Sequence, residues 1–109
     1  MPLEVAGKAV AVDDEGYLID PADWNEDVAL ELARRENIVL EEGHRAVIGF
    51  IRQYYELHHV IPDARYVIKY LAGESGAERN ELFRLFPYGY VKQACKIAGM
   101  RKPRAWSTG

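Results

Sequence analysis

The sequence predicts a mostly α-helical domain of the α+β class: a small N-terminal β-hairpin packed on a bundle of about five helices, followed by a flexible C-terminal arm. The chain has 109 residues, of which 49% are hydrophobic and 28% charged, as is usual for one globular domain. Apolar residues recur at helical spacing in residues 20–98, whereas extended alternation is confined to residues 1–19. We therefore expect a single domain with a hairpin region, a helical body and, at 99–109, an arm.

The hairpin region begins with a weak alternation of apolar and polar residues from Leu3 to Val12. Ala6-Gly7-Lys8 lies at its centre and predicts the turn, because glycine accepts a positive φ. The acidic Asp13-Asp14-Glu15-Gly16 lacks the alternating ligands and closing Glu of a calcium loop, so we interpret it as a turn. Tyr17-Leu18-Ile19 is a candidate for a short third extended segment.

Two helices are predicted next. The first runs from Asp20-Pro21, a capping residue followed by a helix-starting proline, to about Glu36, and Asn37 is its stop. One side of this helix carries Val28, Ala29, Leu32 and Ala33. The second and longer helix covers residues 42–58. Its broad apolar stripe consists of Val47, Phe50, Ile51, Tyr54 and Leu57.

Three shorter helices complete the predicted bundle. Pro62 opens the first, and the segment Gly73–Gly76 breaks it; its apolar positions are Ala64, Val67, Ile68 and Leu71. The second runs from Glu78 to Phe86, ends before Pro87 and is expected to bury Leu82, Phe83 and Phe86. The last covers about Tyr90 to Ala98, with Gly99 as its C-terminal cap. Residues beyond this cap have no periodicity and are predicted to be mobile.

The composition favours a soluble cytoplasmic protein. The one cysteine cannot form an internal disulfide, which suits a reducing compartment. The N-terminus lacks a basic stretch followed by an apolar one, so no secretory signal is expected. No apolar run approaches the ~20 residues that cross a bilayer. We expect a monomer that binds neither membrane nor cofactor.

Charge is distributed unevenly along the chain. Residues 86–109 contain five basic residues and no acidic one, so the remaining chain contains nine basic residues and all 17 acidic ones. Such a basic segment either docks on a negative partner, changes the chemistry of its own residues, or is simply a solvated end.

Cys95 lies within this basic segment and is the candidate reactive residue. Helical spacing places it on one apolar stripe with Val91, Ala94 and Ala98, which favours a buried structural thiol. The flanking Lys92 and Lys96 would instead lower the thiol pKa and favour the thiolate, although the negative end of the helix dipole opposes this. The structural interpretation is the stronger of the two, and the reactive one stays open.

The histidines do not suggest a metal site. His58 and His59 point about 100° apart on a helix, and His44 lies more than three turns away from them. No further ligand stands at a zinc-like spacing. We interpret all three as surface or boundary residues, and a catalytic Cys–His pair stays open.

Residues 62–86 offer a weak alternative function in DNA binding. Their two predicted helices resemble a helix-turn-helix, and the second carries three side chains that can contact phosphates or bases: Arg79, Asn80 and Arg84. The Gly73-Glu-Ser-Gly76 segment between them resembles the GXXG loop of KH modules, but its Glu would repel phosphate, so we interpret it as a turn.

The segment FPYGYVKQACKIAGMRKP, residues 86–103, resembles the signature FP-x-G-P-x-K-x-A-C-[KR]-I-A-G-L-P-K-P of the DsrC/TusE family of sulfur-relay proteins. Gly7-Lys8, DDEGYL, WNEDVALELA and RQYYELHHVIP resemble the same family in the same order, so the resemblance covers essentially the whole chain. It implies a cytoplasmic sulfur carrier with a helical body and a flexible C-terminal arm.

The resemblance also implies a chemistry. Family members with two cysteines have one at the position of Cys95 and a second eleven residues later, and the two can pair as a trisulfide. In the dissimilatory sulfite reductase system the arm enters the reductase, where the terminal cysteine accepts sulfur. The TusE branch keeps only the terminal cysteine and passes persulfide sulfur toward 2-thiouridine in tRNA.

This sequence departs from the family pattern at the sulfur-accepting position, where Trp106 stands. The pattern also changes at Met100-Arg101, where the family usually has Leu-Pro. A further change is YGY at residues 88–90, where GGP-like sequences are expected. We favour the hypothesis of a regulatory or accessory homologue, not a stand-alone enzyme, that docks on sulfite reductase or sulfur-transfer proteins. Its expected partner contacts are Lys92, Lys96, Arg101, Lys102, Arg104 and Trp106, with the indole as an anchor. The alternative is a carrier that holds persulfide sulfur on Cys95.

Overall fold

A computed structural model describes residues 3–75 and 80–102 of the chain, and of residues 74 and 75 it describes the backbone alone. The mostly helical α+β class with an N-terminal hairpin is confirmed. The elements in chain order are β1 (Leu3–Val5), β2 (Lys8–Val10), a 3-10 helix (Pro21–Asp23), α1 (Glu26–Arg35), α2 (Glu42–His58), α3 (Ala64–Ser75), α4 (Glu81–Leu85) and a π-helix (Tyr90–Cys95).

The hairpin forms as predicted. Strands β1 and β2 are antiparallel, and Ala6 and Gly7 join them with φ values of 50° and 81°, the positive pair that a tight hairpin turn requires. The acidic segment is a turn, because the Asp13 carboxylate accepts hydrogen bonds from the backbone N–H groups of Glu15 and Tyr17. The third extended segment is reduced to one bridge, Val12 to Leu18.

The first predicted helix is in fact two elements. Asp20 accepts a hydrogen bond from the Ala22 N–H, as a cap should, but it begins only the 3-10 helix. The side chain of Asn25 then accepts from the Val28 N–H at 2.9 Å, so a second cap begins α1. The predicted stop is confirmed: Asn37 has a φ of 59° in the left-handed region. The predicted apolar side of α1 is buried.

Helix α2 has the predicted bounds, but its predicted stripe is partly wrong. Leu57 is 69% exposed. Phe50 and Tyr54 are half-buried, since they pack on aromatic rings of α3 at the edge of the body. The buried face consists instead of His44, Val47, Ile48 and Ile51. Apolar spacing identifies a helix face, but it does not say which part of that face the neighbouring elements cover.

Helices α3 and α4 differ from the prediction in their bounds. The first begins at Ala64 and continues through Gly73 to Ser75, because an isolated glycine weakens a helix by only ~1 kcal/mol. The predicted turn at Gly73-Glu-Ser-Gly76 is therefore wrong for residues 73–75, which belong to α3. Only residues 81–85 form α4, and the predicted start at Glu78 lies outside the described residues. Phe83 was expected to be buried and is 47% exposed, whereas Leu85 is buried with Leu82 and Phe86.

The last predicted helix is a π-helix followed by one helical turn. Gly99 caps it as predicted, with a φ of 81°. The Gly99 N–H donates to the Lys96 backbone carbonyl, and the Met100 N–H donates to the Cys95 backbone carbonyl. The first two residues of the predicted arm, Gly99 and Met100, are buried. Arg101 is the first exposed residue after this cap. No helix within residues 3–75 and 80–102 is long and apolar enough to cross a membrane.

Candidate functional site

Cys95 ends the π-helix and is completely buried. Its thiol is hydrogen-bonded to the hydroxyl of Tyr90, and that hydroxyl donates to the Pro62 carbonyl oxygen at 2.6 Å. Burial raises the pKa of the Cys95 thiol to about 12. Burial also raises the pKa of the Tyr90 hydroxyl. The thiol is therefore held protonated in the core.

The two flanking lysines do not activate this thiol. Lys92 is exposed. Lys96 Nζ lies 3.4 Å from a carboxylate oxygen of Glu36 and 5.0 Å from the ring centroid of Tyr17. Burial thus shifts the Cys95 pKa in the direction opposite to the one that flanking cations would produce.

Trp24 and Arg52 hold the backbone that follows Cys95. The indole N–H of Trp24 donates to the Ile97 carbonyl oxygen at 2.8 Å. The Arg52 guanidinium donates to the Ala98 carbonyl oxygen at 2.8 Å and lies 4.4 Å above the Trp24 ring. The same ring contacts Gly99, where an added Cβ would lie 2.4 Å from its nearest atom. These contacts set the direction in which the chain leaves the body.

Gln93 is a fully buried polar residue that sequence reasoning did not identify. Its amide N–H donates to Glu36 at 3.1 Å, and its oxygen accepts from the Tyr88 N–H at 3.0 Å. Glu36 also pairs with Lys96, so one carboxylate just after α1 binds two side chains of the C-terminal segment.

Trp24 and Arg52, by contrast, lie in the WNEDVALELA and RQYYELHHVIP blocks. The sequence blocks that resemble the family therefore contain both residues, although sequence analysis did not single them out.

The described part of the arm is exposed and basic. Both Arg101 and Lys102 are exposed, and Lys102 forms an ion pair with Glu15 of the acidic turn. The other two predicted arm contacts, Arg104 and Trp106, lie outside the described residues.

A cavity of about 430 Å³ lies between the acidic turn, the end of α1 and Lys96. Val12 and Leu32 supply its apolar lining, and Asp13, Asp14, Glu15 and Glu36 its carboxylates. Its volume is within the range of ligand pockets, ~300–1,000 Å³. Sequence analysis did not find this cavity, because its two sides are about twenty residues apart in the chain.

His44 is buried, which corrects its interpretation as a surface or boundary residue. Its Nδ1 accepts from the Glu41 N–H at 3.1 Å, and its Nε2–H donates to the Leu85 carbonyl oxygen at 2.9 Å. The ring also meets Phe86 edge-on, at 5.1 Å between centroids. His58 and His59 are exposed. Among the described residues no group of three or more possible ligands could hold a metal ion.

The structure describes two of the three predicted DNA-contacting residues, Asn80 and Arg84, which lie at the start of α4 and within it. Helix α4 has five residues, which is little more than one turn. Arg84 is held by the Glu81 carboxylate of the same helix. Asn80 is exposed, and Arg79 lies outside the described residues.

Comparison with known proteins gives consistent results. The family model described as "DsrC like protein" matches residues 4–105. The sulfurtransferase TusE of Sodalis glossinidius is 44% identical over 104 residues, which cover 93% of this chain and 96% of that protein.

Solved structures of DsrC are similar over nearly the whole chain. The oxidised gamma-subunit of the dissimilatory sulfite reductase, DsrC, from Archaeoglobus fulgidus has a TM-score of 0.89 at 34% identity, covering 97% of this chain and 99% of that one. Allochromatium vinosum DsrC has a TM-score of 0.83 at 42% identity, with 96% of each chain covered.

Proposed function

Since this chain belongs to the DsrC-like family, we propose that it acts in sulfur relay as an accessory or regulatory protein. In this role it docks on a sulfur-transfer protein or a sulfite reductase and does not itself accept sulfur. The relatives named as a sulfurtransferase and as the gamma-subunit of a sulfite reductase support the choice of partner. We place it in the cytoplasm as a monomer.

The burial of Cys95 carries this proposal. Sulfur transfer between proteins needs an accessible thiolate that attacks the donor sulfur. Burial raises the pKa of the Cys95 thiol well above neutral pH, so almost no thiolate forms at pH 7, and the thiol is also completely buried. At the position where the resemblance implies an accepting cysteine, the chain has Trp106.

The exposed cations after Gly99 support docking. Trp24 and Arg52 fix the backbone of residues 97 and 98, so Arg101 and Lys102 leave the body from a defined point. Arg104 and Trp106 follow in the sequence and extend the same basic segment. The segment fits a partner with an acidic surface and an aromatic pocket, because complementary charge speeds encounter and a buried indole contributes affinity.

A binding measurement tests the docking proposal. Calorimetric titration against the sulfite reductase and sulfurtransferases of the same organism compares the wild type with the triple variant Arg101→Gln, Lys102→Gln, Arg104→Gln. We expect at least a ~10-fold loss of affinity, equal to ~1.4 kcal/mol, and no change for Cys95→Ala.

A matched triple variant removes Lys8, Arg65 and Lys69, which are exposed cations elsewhere on the body. It should bind like the wild type. An equal loss in both triple variants, or a loss with Cys95→Ala, would contradict docking through the arm.

The second candidate function is a carrier that holds sulfur on Cys95. Mass spectrometry after incubation with a persulfide donor separates the two proposals: we expect no added sulfur on the folded chain and modification once the chain is unfolded. A stoichiometric extra sulfur at Cys95 in the folded protein would favour the carrier, including a role in tRNA thiolation. DNA binding has less support, since Arg84 is paired; it would require a steep loss of affinity with salt.

A further inference from the structure

Tyr88 is the exposed tip of a turn whose two ends lie in the core. Its side chain is 76% exposed, whereas Phe86 and Tyr90, two residues before and after it, are buried. The Gly89 N–H donates to the Phe86 carbonyl oxygen at 3.1 Å and closes the turn. Two buried aromatic residues therefore fix the place of this turn on the body.

Three constraints hold the backbone of the turn. Pro87 fixes its own φ, and Gly89 has a φ of 117°, which glycine accepts without strain. The Tyr88 N–H donates at 3.0 Å to the side-chain oxygen of Gln93, which is fully buried and itself donates to Glu36. The Tyr88 ring is thus presented to solvent from a preorganised backbone, so little conformational entropy is lost when a partner binds it.

Lys92 places a positive charge near this ring. It lies four residues after Tyr88, in the π-helix, and is exposed. Within the described residues Lys92 pairs with no carboxylate, whereas Lys96 pairs with Glu36. An aromatic ring near an unpaired cation fits a protein surface that has an apolar pocket next to a carboxylate.

The surface around Tyr88 and Lys92 continues toward the cations that follow Gly99. The Tyr17 hydroxyl donates to the Val91 carbonyl oxygen at 3.2 Å, and Glu15 forms an ion pair with Lys102. Glu15 and Tyr17 are two residues apart, at most roughly 7 Å of chain. The π-helix and Lys102 therefore lie against the same turn, and one partner can contact both.

We propose that Tyr88 and Lys92 form a second docking contact, on the body, for the acidic protein partner that binds the cations of residues 101 and 102. This inference rests on the docking function proposed above and adds the residues that select the partner. The Tyr88 ring enters an apolar pocket of the partner, and Lys92 pairs with a carboxylate at the rim of that pocket. Since GGP-like sequences are expected at residues 88–90, the ring distinguishes this chain from its relatives.

The experiment measures the affinity of the full chain for the sulfite reductase or sulfurtransferase that binds the wild type in the titration above. Tyr88→Ser should lower the affinity at least ~10-fold. Tyr88→Phe should leave it unchanged, because the ring and not the hydroxyl fills the pocket. Lys92→Gln should lower it roughly 3-fold at low salt, and this difference should disappear at high salt.

Matched variants remove an exposed apolar side chain and an exposed cation elsewhere on the body. Leu57→Ser in α2, where Leu57 is 69% exposed, and Lys69→Gln in α3 should bind like the wild type. Circular dichroism of all these variants should match the wild type, because each changed side chain is exposed.

Wild-type affinity in Tyr88→Ser, or an equal loss in Leu57→Ser, would overturn the inference. If Tyr88→Ser binds like the wild type while the arm triple variant loses affinity, docking through the arm stands and the body contact does not. The opposite result would retain the body contact and remove the arm. If neither class of partner binds the wild type, both proposals are wrong.

Sedimentation of the chain alone tests whether a second copy is the occupant of this surface. We expect a monomer in the wild type and in Tyr88→Ser. A dimer that Tyr88→Ser abolishes would assign the ring to contact between copies and would overturn the inference.

Discussion

Gly99 is a single residue on which the exit of the arm depends. Its φ of 81° lies in the left-handed region, and its Cα faces the ring of Trp24. That ring cannot move away easily, because it is hydrogen-bonded to Ile97 and covered by Arg52. A side chain at position 99 therefore meets both a backbone cost and a steric one.

Gly99→Ala should lower the free energy of unfolding by ~3 kcal/mol, from the left-handed conformation and the clash together. Gly49→Ala is the matched control, since Gly49 is exposed in α2 and an added Cβ there meets nothing within 4 Å. That change should raise stability by ~0.5–1 kcal/mol. Urea unfolding followed by circular dichroism measures both. A Gly99→Ala variant as stable as the wild type would show that the Trp24 contact is not rigid.

At the scale of elements, the His44 side chain connects α2 and α4 through hydrogen bonds. It lies in the first turn of α2 and accepts from the Glu41 N–H there, while its other nitrogen donates to the last residue of α4. The side chain thus satisfies a backbone donor at one helix end and a backbone acceptor at another.

His44→Ala should cost ~2–3 kcal/mol, because it leaves the buried Leu85 carbonyl and the part-buried Glu41 N–H without partners and opens a void beside Phe86. His58→Ala, at the exposed end of the same helix, should change stability by less than ~0.5 kcal/mol. The comparison is made by thermal and urea unfolding. Equal losses in the two variants would mean that the buried contacts of His44 contribute nothing.

At the scale of the whole molecule, the core keeps titratable groups neutral. Burial raises the pKa of Cys95 from 9.0 to about 12 and that of Tyr17 from 10.0 to about 12, and it raises the pKa of Tyr90 as well. The unfolded chain loses these protons at lower pH than the folded one. The stabilisation that these raised pKa values provide is therefore fully present below pH ~9, and it is lost as the pH rises toward ~12.

Urea unfolding at a series of pH values from 8 to 11 should give a free energy that decreases above pH ~9. In Cys95→Ala the decrease should begin about one unit higher and be shallower, because only the tyrosines remain. The slope with pH is compared, so the loss of packing in the variant does not affect the conclusion. Parallel curves for the two proteins would contradict a buried, neutral thiol.

The sequence predicted the elements better than it predicted their contacts. The hairpin, the bounds of α2 and the caps at Asn37 and Gly99 follow from turn chemistry and local periodicity, which act over a few residues. The burial of Leu57 and Phe83 was predicted wrongly, since an apolar face is buried only where another element covers it. The inward side chain of Gln93 depends on the π-helix, whose additional residue per turn changes which positions face the core.

By itself, the amino-acid sequence determined the fold class, the family resemblance, the single thiol and the basic C-terminal segment, because these properties depend on residue type and local spacing. Tertiary structure alone decided that Cys95 is inaccessible and held neutral, and that Trp24 and Arg52 direct the arm. It also placed the acidic turn, the end of α1 and Lys96 around one cavity. The physical reason is that burial, pKa and charge complementarity depend on which distant residues become neighbours, and local spacing carries no record of that.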